Sequence, residues 1–144
     1  MLRECREKGI HTAIDTAGNV PFAEFEKVIP HTCLFLYDIK CISESLHRQY
    51  TGVSNSFILE NYIKLIERGC DVWVRVPVID GINTGDEFEC IKAFLAKYPP
   101  QKTELLPYHA LGENKFRAIY NCEPPVFHAP SKGELEKMKN ELRK

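Results

Sequence analysis

These 144 residues carry no excess of basic charge, no long apolar run, no closely spaced pair of cysteines and no glycine-rich phosphate turn. Nineteen Lys and Arg stand against 20 Asp and Glu, mixed along the chain, for a formal net charge of −1. Without a basic field to hold a phosphate backbone, nucleic acid is excluded as a partner. The chain opens Met-Leu-Arg-Glu-Cys-Arg-Glu-Lys, charged from its third residue. No apolar stretch approaches the roughly 18 residues of a membrane span. We read a cytoplasmic protein with no membrane association.

The six cysteines, at 5, 33, 41, 70, 90 and 122, are scattered too widely for a local zinc or iron–sulfur motif. They can be buried reduced thiols or a disulfide framework, and the second suits a smaller secreted domain better. Cys33, Cys70 and Cys90 lie among apolar residues and favour the first. "DTAGN", from Asp15 to Asn19, has too little glycine for a nucleotide-binding turn.

What is present is a regular alternation of strand and helix signals over a chain whose composition suits one domain, 1–144. Residues 2–8 read as the tail of a helix stopped by Gly9, and 10–16 as a strand ending at Ala17-Gly18. PFAEFEKVI reads as a helix with Pro21 at its first position and Pro30 past its end. The second strand is Cys33 to Lys40, followed by a short helix over Ser43 to Tyr50. Asn55 can cap a longer helix that gathers Ile58, Tyr62, Leu65 and Ile66 on one face. Residues 71–78 are strand three, a helix ends near Tyr98, and TELLPYH is strand four. A Pro-rich loop then leads to a last helix opening with Ser131 and Glu134 at capping-box spacing. Strands this apolar and β-branched, separated by helices, predict an α/β fold of parallel β/α units, too few to close a barrel. The chain begins and ends inside helix signals, as if cut at both ends.

Polar residues within these apolar strands fall at one end. Strand one finishes Asp15-Thr16, strand two Asp38-Ile39-Lys40, strand three carries Arg75, and strand four runs into His109. In parallel α/β folds ligands bind beside the carboxyl ends of the strands, so these side chains should meet at one mouth. Together they would cost several kcal/mol to bury unless paired or bound to a ligand. The alternative is an ion-pair cluster that plugs an incomplete barrel. Lys40 could also be a Schiff-base lysine, or His109 an acid–base catalyst, in an unrelated β/α enzyme. His11, His31, His47 and His128 read as surface residues, and Trp73 and Phe57 as core.

"HTAIDTAG", "LYDIK", "TGVSN", "VWVRVPVIDGIN" and "ELLPYHALGENKF" occur together in this order. The chain thereby resembles the glycyl-radical-enzyme activating enzymes, the pyruvate formate-lyase activating enzyme group of the radical S-adenosylmethionine (SAM) superfamily, over residues 8 to about 117. The resemblance implies a TIM-like partial barrel, of which this chain would hold roughly the last four β/α units. It implies that Asp38, Ile39 and Lys40 contact SAM, that His109 closes over it, and that Arg75 lines its pocket. Asp15, Thr16, Asp38 and a backbone oxygen near Leu36 would match a monovalent cation site. Lys115 and Phe116 match a loop near the mouth that would face a partner.

For a complete enzyme of this kind, the resemblance implies reductive cleavage of SAM by an electron from a [4Fe-4S] cluster. A flavodoxin or ferredoxin would supply the electron, and the resulting radical would be passed to a backbone glycine of a glycyl radical enzyme. The C-x-x-x-C-x-x-C loop that would bind the cluster is not in this sequence. Neither is a Gly-Gly-Glu strand for the SAM amino group. The expectation is therefore a fragment, by a gene model begun at an internal methionine, a split gene or a degenerate copy, without turnover by itself. An inactive remnant that binds a partner without chemistry stays open beside it.

Overall fold

A computed structural model describes residues 1–110 and 113–142. Four strands, β1 (Ala13–Thr16), β2 (Leu34–Asp38), β3 (Val72–Val78) and β4 (Lys102–Pro107), form one parallel sheet in the order β1-β2-β3-β4. Neighbouring strands in space are thus neighbours in sequence, with a helical connection between each pair. The α/β reading and its parallel strands are as the sequence pattern implied; the first three strands are one to three residues shorter than expected, and the fourth starts one residue earlier and ends two earlier.

The helices are α1 (Leu2–Glu7), α2 (Phe22–Val28), α3 (Glu44–Thr51), α4 (Ser56–Glu67), α5 (Asp86–Lys97), α6 (Glu113–Tyr120) and α7 (Lys132–Glu141). Pro21 stands at the cap before α2, and Pro30 lies inside a short 3-10 turn, Ile29–His31, that prolongs it. The capping signal at Ser131 is realised, its hydroxyl accepting the Glu134 N–H at 3.2 Å, and Ser43, not singled out by the pattern, caps α3 in the same way through the Leu46 N–H. Helix α6 occupies what the sequence pattern gave as a loop. Its only apolar residues are Phe116, Ala118, Ile119 and Tyr120, too few for a clear helical stripe.

One face of the sheet carries the core. Phe35 and Tyr37 of β2 and Val72, Val74, Val76 and Val78 of β3 are buried there against Phe25 of α2, Ile58, Tyr62 and Leu65 of α4, and Phe88, Ile91 and Leu95 of α5. Tyr37 and Tyr62 spend their hydroxyls on the Ile58 and Tyr98 carbonyls at 2.7 and 2.6 Å, so two large rings enter the core without an unpaired polar atom. Burial pushes both phenols well above their usual pKa.

The opposite face is half-buried, and the strand register sets its rows. Asp15, Leu36, Trp73 and Lys102 stand in line across the four strands, and Asp38, Arg75 and Glu104 in the next line toward the carboxyl ends. Lys102 lies over the Trp73 ring at 4.4 Å from its centroid. Trp73, expected in the core, is therefore on this open face. Phe57 is also not core but 47% exposed, because it falls on the outer side of α4. His47 is the converse: expected at the surface, it is 2% exposed, its ring Nδ1 lying 2.9 Å from the Val53 carbonyl. Cys41 is buried while Cys90 and Cys122 are exposed, and all six thiols are free.

Candidate functional site

β1, β2 and β3 bring Asp15, Asp38 and Arg75 to one point. The Arg75 guanidinium donates through Nε to Asp38 Oδ1 at 2.9 Å and through Nη1 to Asp15 Oδ2 at 2.9 Å. Its Nη2 reaches the second Asp15 oxygen. Lys40, at the exit of β2, lies 3.8 Å from the other Asp38 oxygen. The Asp15 carboxylate first, and Asp38 after it, raise the pKa of Arg75 further. Two acids and two bases balance, so the cluster tolerates its partial burial.

The members are not held alike. Arg75 is 19% and Asp38 24% exposed, whereas Lys40 is 39% exposed and makes the longest contact. A flexible ammonium at that distance can turn to a ligand's carboxylate or hydroxyl while Arg75 keeps Asp38 compensated. An incoming cationic group would meet the outer side of Asp15, which is 62% exposed, while Arg75 holds both carboxylates. The cluster thus offers both signs of charge at the carboxyl ends of the strands.

Ile39 is placed differently. Its side chain is fully buried with the helix-side core, and its N–H donates to the Arg75 carbonyl at 3.0 Å. Only its main chain lies at the mouth. His109 follows β4 and is exposed. Among the described residues no hydrogen bond or ion pair joins it to the cluster. Of the residues expected at a monovalent cation, both carboxylates engage Arg75, and the Thr16 hydroxyl accepts the Gly18 N–H at 3.0 Å. Leu36 sits in the Asp15 row. The Leu111-Gly112 pair of the resemblance and the side chain of Lys115 lie outside the described residues.

Pattern reading missed the polar side chains that fix this mouth from beneath. Asn83, 2% exposed, donates to the Lys40 carbonyl at 2.8 Å and the Pro77 carbonyl at 2.7 Å, and its Oδ1 accepts Ile79 N–H at 2.8 Å. The buried Glu87 carboxylate accepts the N–H groups of Ile42 and Ser43. Asn55 does not cap α4 with its side chain but donates to the Cys41 and Ile42 carbonyls at 3.0 and 2.8 Å. Asn61 donates to the Gly18 and Val20 carbonyls, pinning the loop after β1. The available signal was a polar residue on an apolar helix face, as Asn61 stands between Ile58 and Leu65, and Glu87 beside Phe88 and Ile91.

An iron–sulfur cluster does not fit the donor set. No three His, Cys, Asp or Glu side chains among the described residues are gathered to hold a metal ion. Cys33 instead accepts from Arg6 Nη1 at 2.8 Å and Thr12 at 3.5 Å, and Cys41 lies in the core. Thr12 chiefly, with Arg6 assisting, lowers the Cys33 thiol pKa. A ligand carboxylate fits better, since the Lys40 ammonium can turn to it.

The parallel β/α layer recurs in solved structures of other proteins. A radical SAM methyltransferase from Sphaerobacter thermophilus shares this fold, with a TM-score of 0.63 and 19% identity over 94% of this chain and 39% of its own. No protein-family profile matches the chain. A domain of pyruvate-formate lyase-activating enzyme from Bacteroides vulgatus aligns with a TM-score of 0.80 and 27% identity, over 99% of this chain and 81% of that domain. The trans-4-hydroxy-L-proline dehydratase activating enzyme of Clostridioides difficile is 40% identical over 143 residues, 96% of this chain and 47% of that enzyme. The chain belongs with the activating enzymes of glycyl radical enzymes, and it spans about half the length of the curated relatives it matches.

Proposed function

We propose that this chain supplies the SAM-contacting wall of an activating enzyme that installs a radical on a glycyl radical enzyme. The observation that carries this reading is the strand-end cluster of Asp38, Lys40 and Arg75, which lies where ligands bind in parallel β/α folds. In it Lys40 turns to the SAM carboxylate or ribose, Asp38 holds Lys40 and Arg75 in place, and His109 closes from the end of β4. A monovalent cation would need Asp15 or Asp38 to release Arg75.

An iron–sulfur cluster supplies the electron in such enzymes, passed on from a flavodoxin or ferredoxin. The described donors do not fit one, so no reductive step is assigned to these residues. The protein partner, a glycyl radical enzyme, comes with the reading from the relatives.

The test is anaerobic iron–sulfur reconstitution of the whole chain, alongside NMR titration with S-adenosylhomocysteine. The expected result is sub-stoichiometric iron, no SAM cleavage, and shifts confined to Asp38–Cys41, Arg75 and His109. Stoichiometric iron would overturn the assignment of the cluster elsewhere. Absence of shifts at these residues would overturn the SAM wall.

A further inference from the structure

Lys40 can reach a ligand only if the chain leaves β2 along a fixed course, and the course is set by groups that never touch the mouth. Four consecutive residues, Lys40 to Ser43, lend a backbone group to buried side chains from three different segments. Asn83 takes the carbonyl of Lys40, Asn55 takes those of Cys41 and Ile42, and Glu87 takes the N–H groups of Ile42 and Ser43. Asn83 differs from the others in what it joins. Its one amide nitrogen donates both to Lys40, at the exit of β2, and to Pro77, near the end of β3. It therefore ties the strand exit that carries Lys40 to the strand that carries Arg75.

We propose that Asn83 is a positioning residue for the SAM site: it holds Lys40 beside Asp38 by bridging the ends of β2 and β3. The proposal rests on the SAM reading given above. Its physical basis is that a buried amide with both donors and its acceptor satisfied has one low-energy placement. Misplacing a contacting group by about an ångström costs binding or rate by as much as about a hundredfold. An aspartate at this position keeps the acceptor for Ile79 but turns a second carboxylate oxygen toward two carbonyl oxygens. Those contacts become repulsive, and the exit of β2 moves away from β3.

The experiment compares wild type, Asn83→Asp and Asn83→Ala in the whole chain, with far-UV circular dichroism to confirm folding and NMR titration with S-adenosylhomocysteine for affinity. Should the aspartate variant fail to fold, the alanine variant carries the test. Each is expected to weaken binding about tenfold or more, a difference equivalent to about 1.4 kcal/mol. The decisive arm repeats Asn83→Ala in a Lys40→Met background. If Asn83 acts through Lys40, the second substitution changes affinity less than about twofold there, whereas a general structural role would weaken it by the same factor again. Wild-type binding with unchanged affinity in both Asn83 variants, or full additivity in the double variant, would overturn the proposal and leave the SAM reading standing. If wild type does not bind the analogue, the SAM reading falls. Hydrogen exchange at Ile39, whose N–H joins the end of β2 to the Arg75 carbonyl, then decides: about tenfold faster exchange in Asn83→Ala supports the bridge, and unchanged protection refutes it.

Discussion

Replacing Gly18 by alanine tests the packing between the loop after β1 and the core beneath the site. Gly18 has φ +73°, a left-handed conformation that costs an L-residue roughly 1–2 kcal/mol. A Cβ built there would lie 1.7 Å from Tyr37 Oη and 2.3 Å from Cζ, so the ring or the loop must move. The ring has nowhere to go. Tyr37 is fully buried, with the Tyr62 ring at 5.7 Å and the Phe25 ring at 6.3 Å, and its hydroxyl donates to Ile58. The loop is equally tied, through Asn61 to the Gly18 and Val20 carbonyls. Overpacking of this kind costs roughly 1–3 kcal/mol, and loss of the Tyr37 hydrogen bond about 1 more. The sum is roughly 3–6 kcal/mol, a large share of the 5–15 kcal/mol typical of a domain. Urea unfolding followed by circular dichroism measures it. Gly52→Ala is the control, because Gly52 has φ +78° with nothing within 4 Å of the added Cβ. It should lose only the conformational part. Equal losses at the two positions would refute the steric account of Gly18.

Arg75→Met should abolish detectable S-adenosylhomocysteine binding and cost roughly 1–3 kcal/mol in urea unfolding, because it leaves the 24% exposed Asp38 with Lys40 alone, while Asp15, 62% exposed, is screened and adds little; a variant that still binds the analogue would remove Arg75 from the site. A pH series provides the other test. Burial chiefly, with Glu87 adding and Lys40 opposing, pushes the Cys41 thiol up to about 12 from 9.0. The unfolded chain therefore releases this proton first. The thiol's contribution to stability is whole below about pH 9 and is lost as pH rises toward about 12. Urea midpoints should fall from about pH 8 to about pH 10, and Cys41→Ala should flatten that slope; an unchanged slope would place the alkaline sensitivity elsewhere.

The fold was legible because its signals are local and repeated. Apolar β-branched runs such as Val72 to Val78 have one favourable use, as strands covered on a face, and the helices between them leave only parallel pairing. Helix α6 escaped because it has little apolar periodicity, and Phe57 was misplaced because hydrophobicity alone does not say which side of α4 faces the sheet. His47 was misplaced for the opposite reason: its ring is buried by a carbonyl six residues away that no spacing rule anticipates.

Sequence alone determined the parallel β/α order and the position of Asp15, Asp38, Lys40 and Arg75 toward strand ends, since both follow from periodicity and from where an apolar run turns polar. It also determined that the cysteines form no cluster motif. Only the tertiary structure decided which of those side chains meet. Register places Asp38 beside Arg75, parity along β2 sends Ile39 into the core and Lys40 to the mouth, and His109 lies past the end of β4. It alone revealed Asn83, Glu87 and Asn55, because a buried amide or carboxylate is called for by unpaired backbone groups that exist only once the strands have come together.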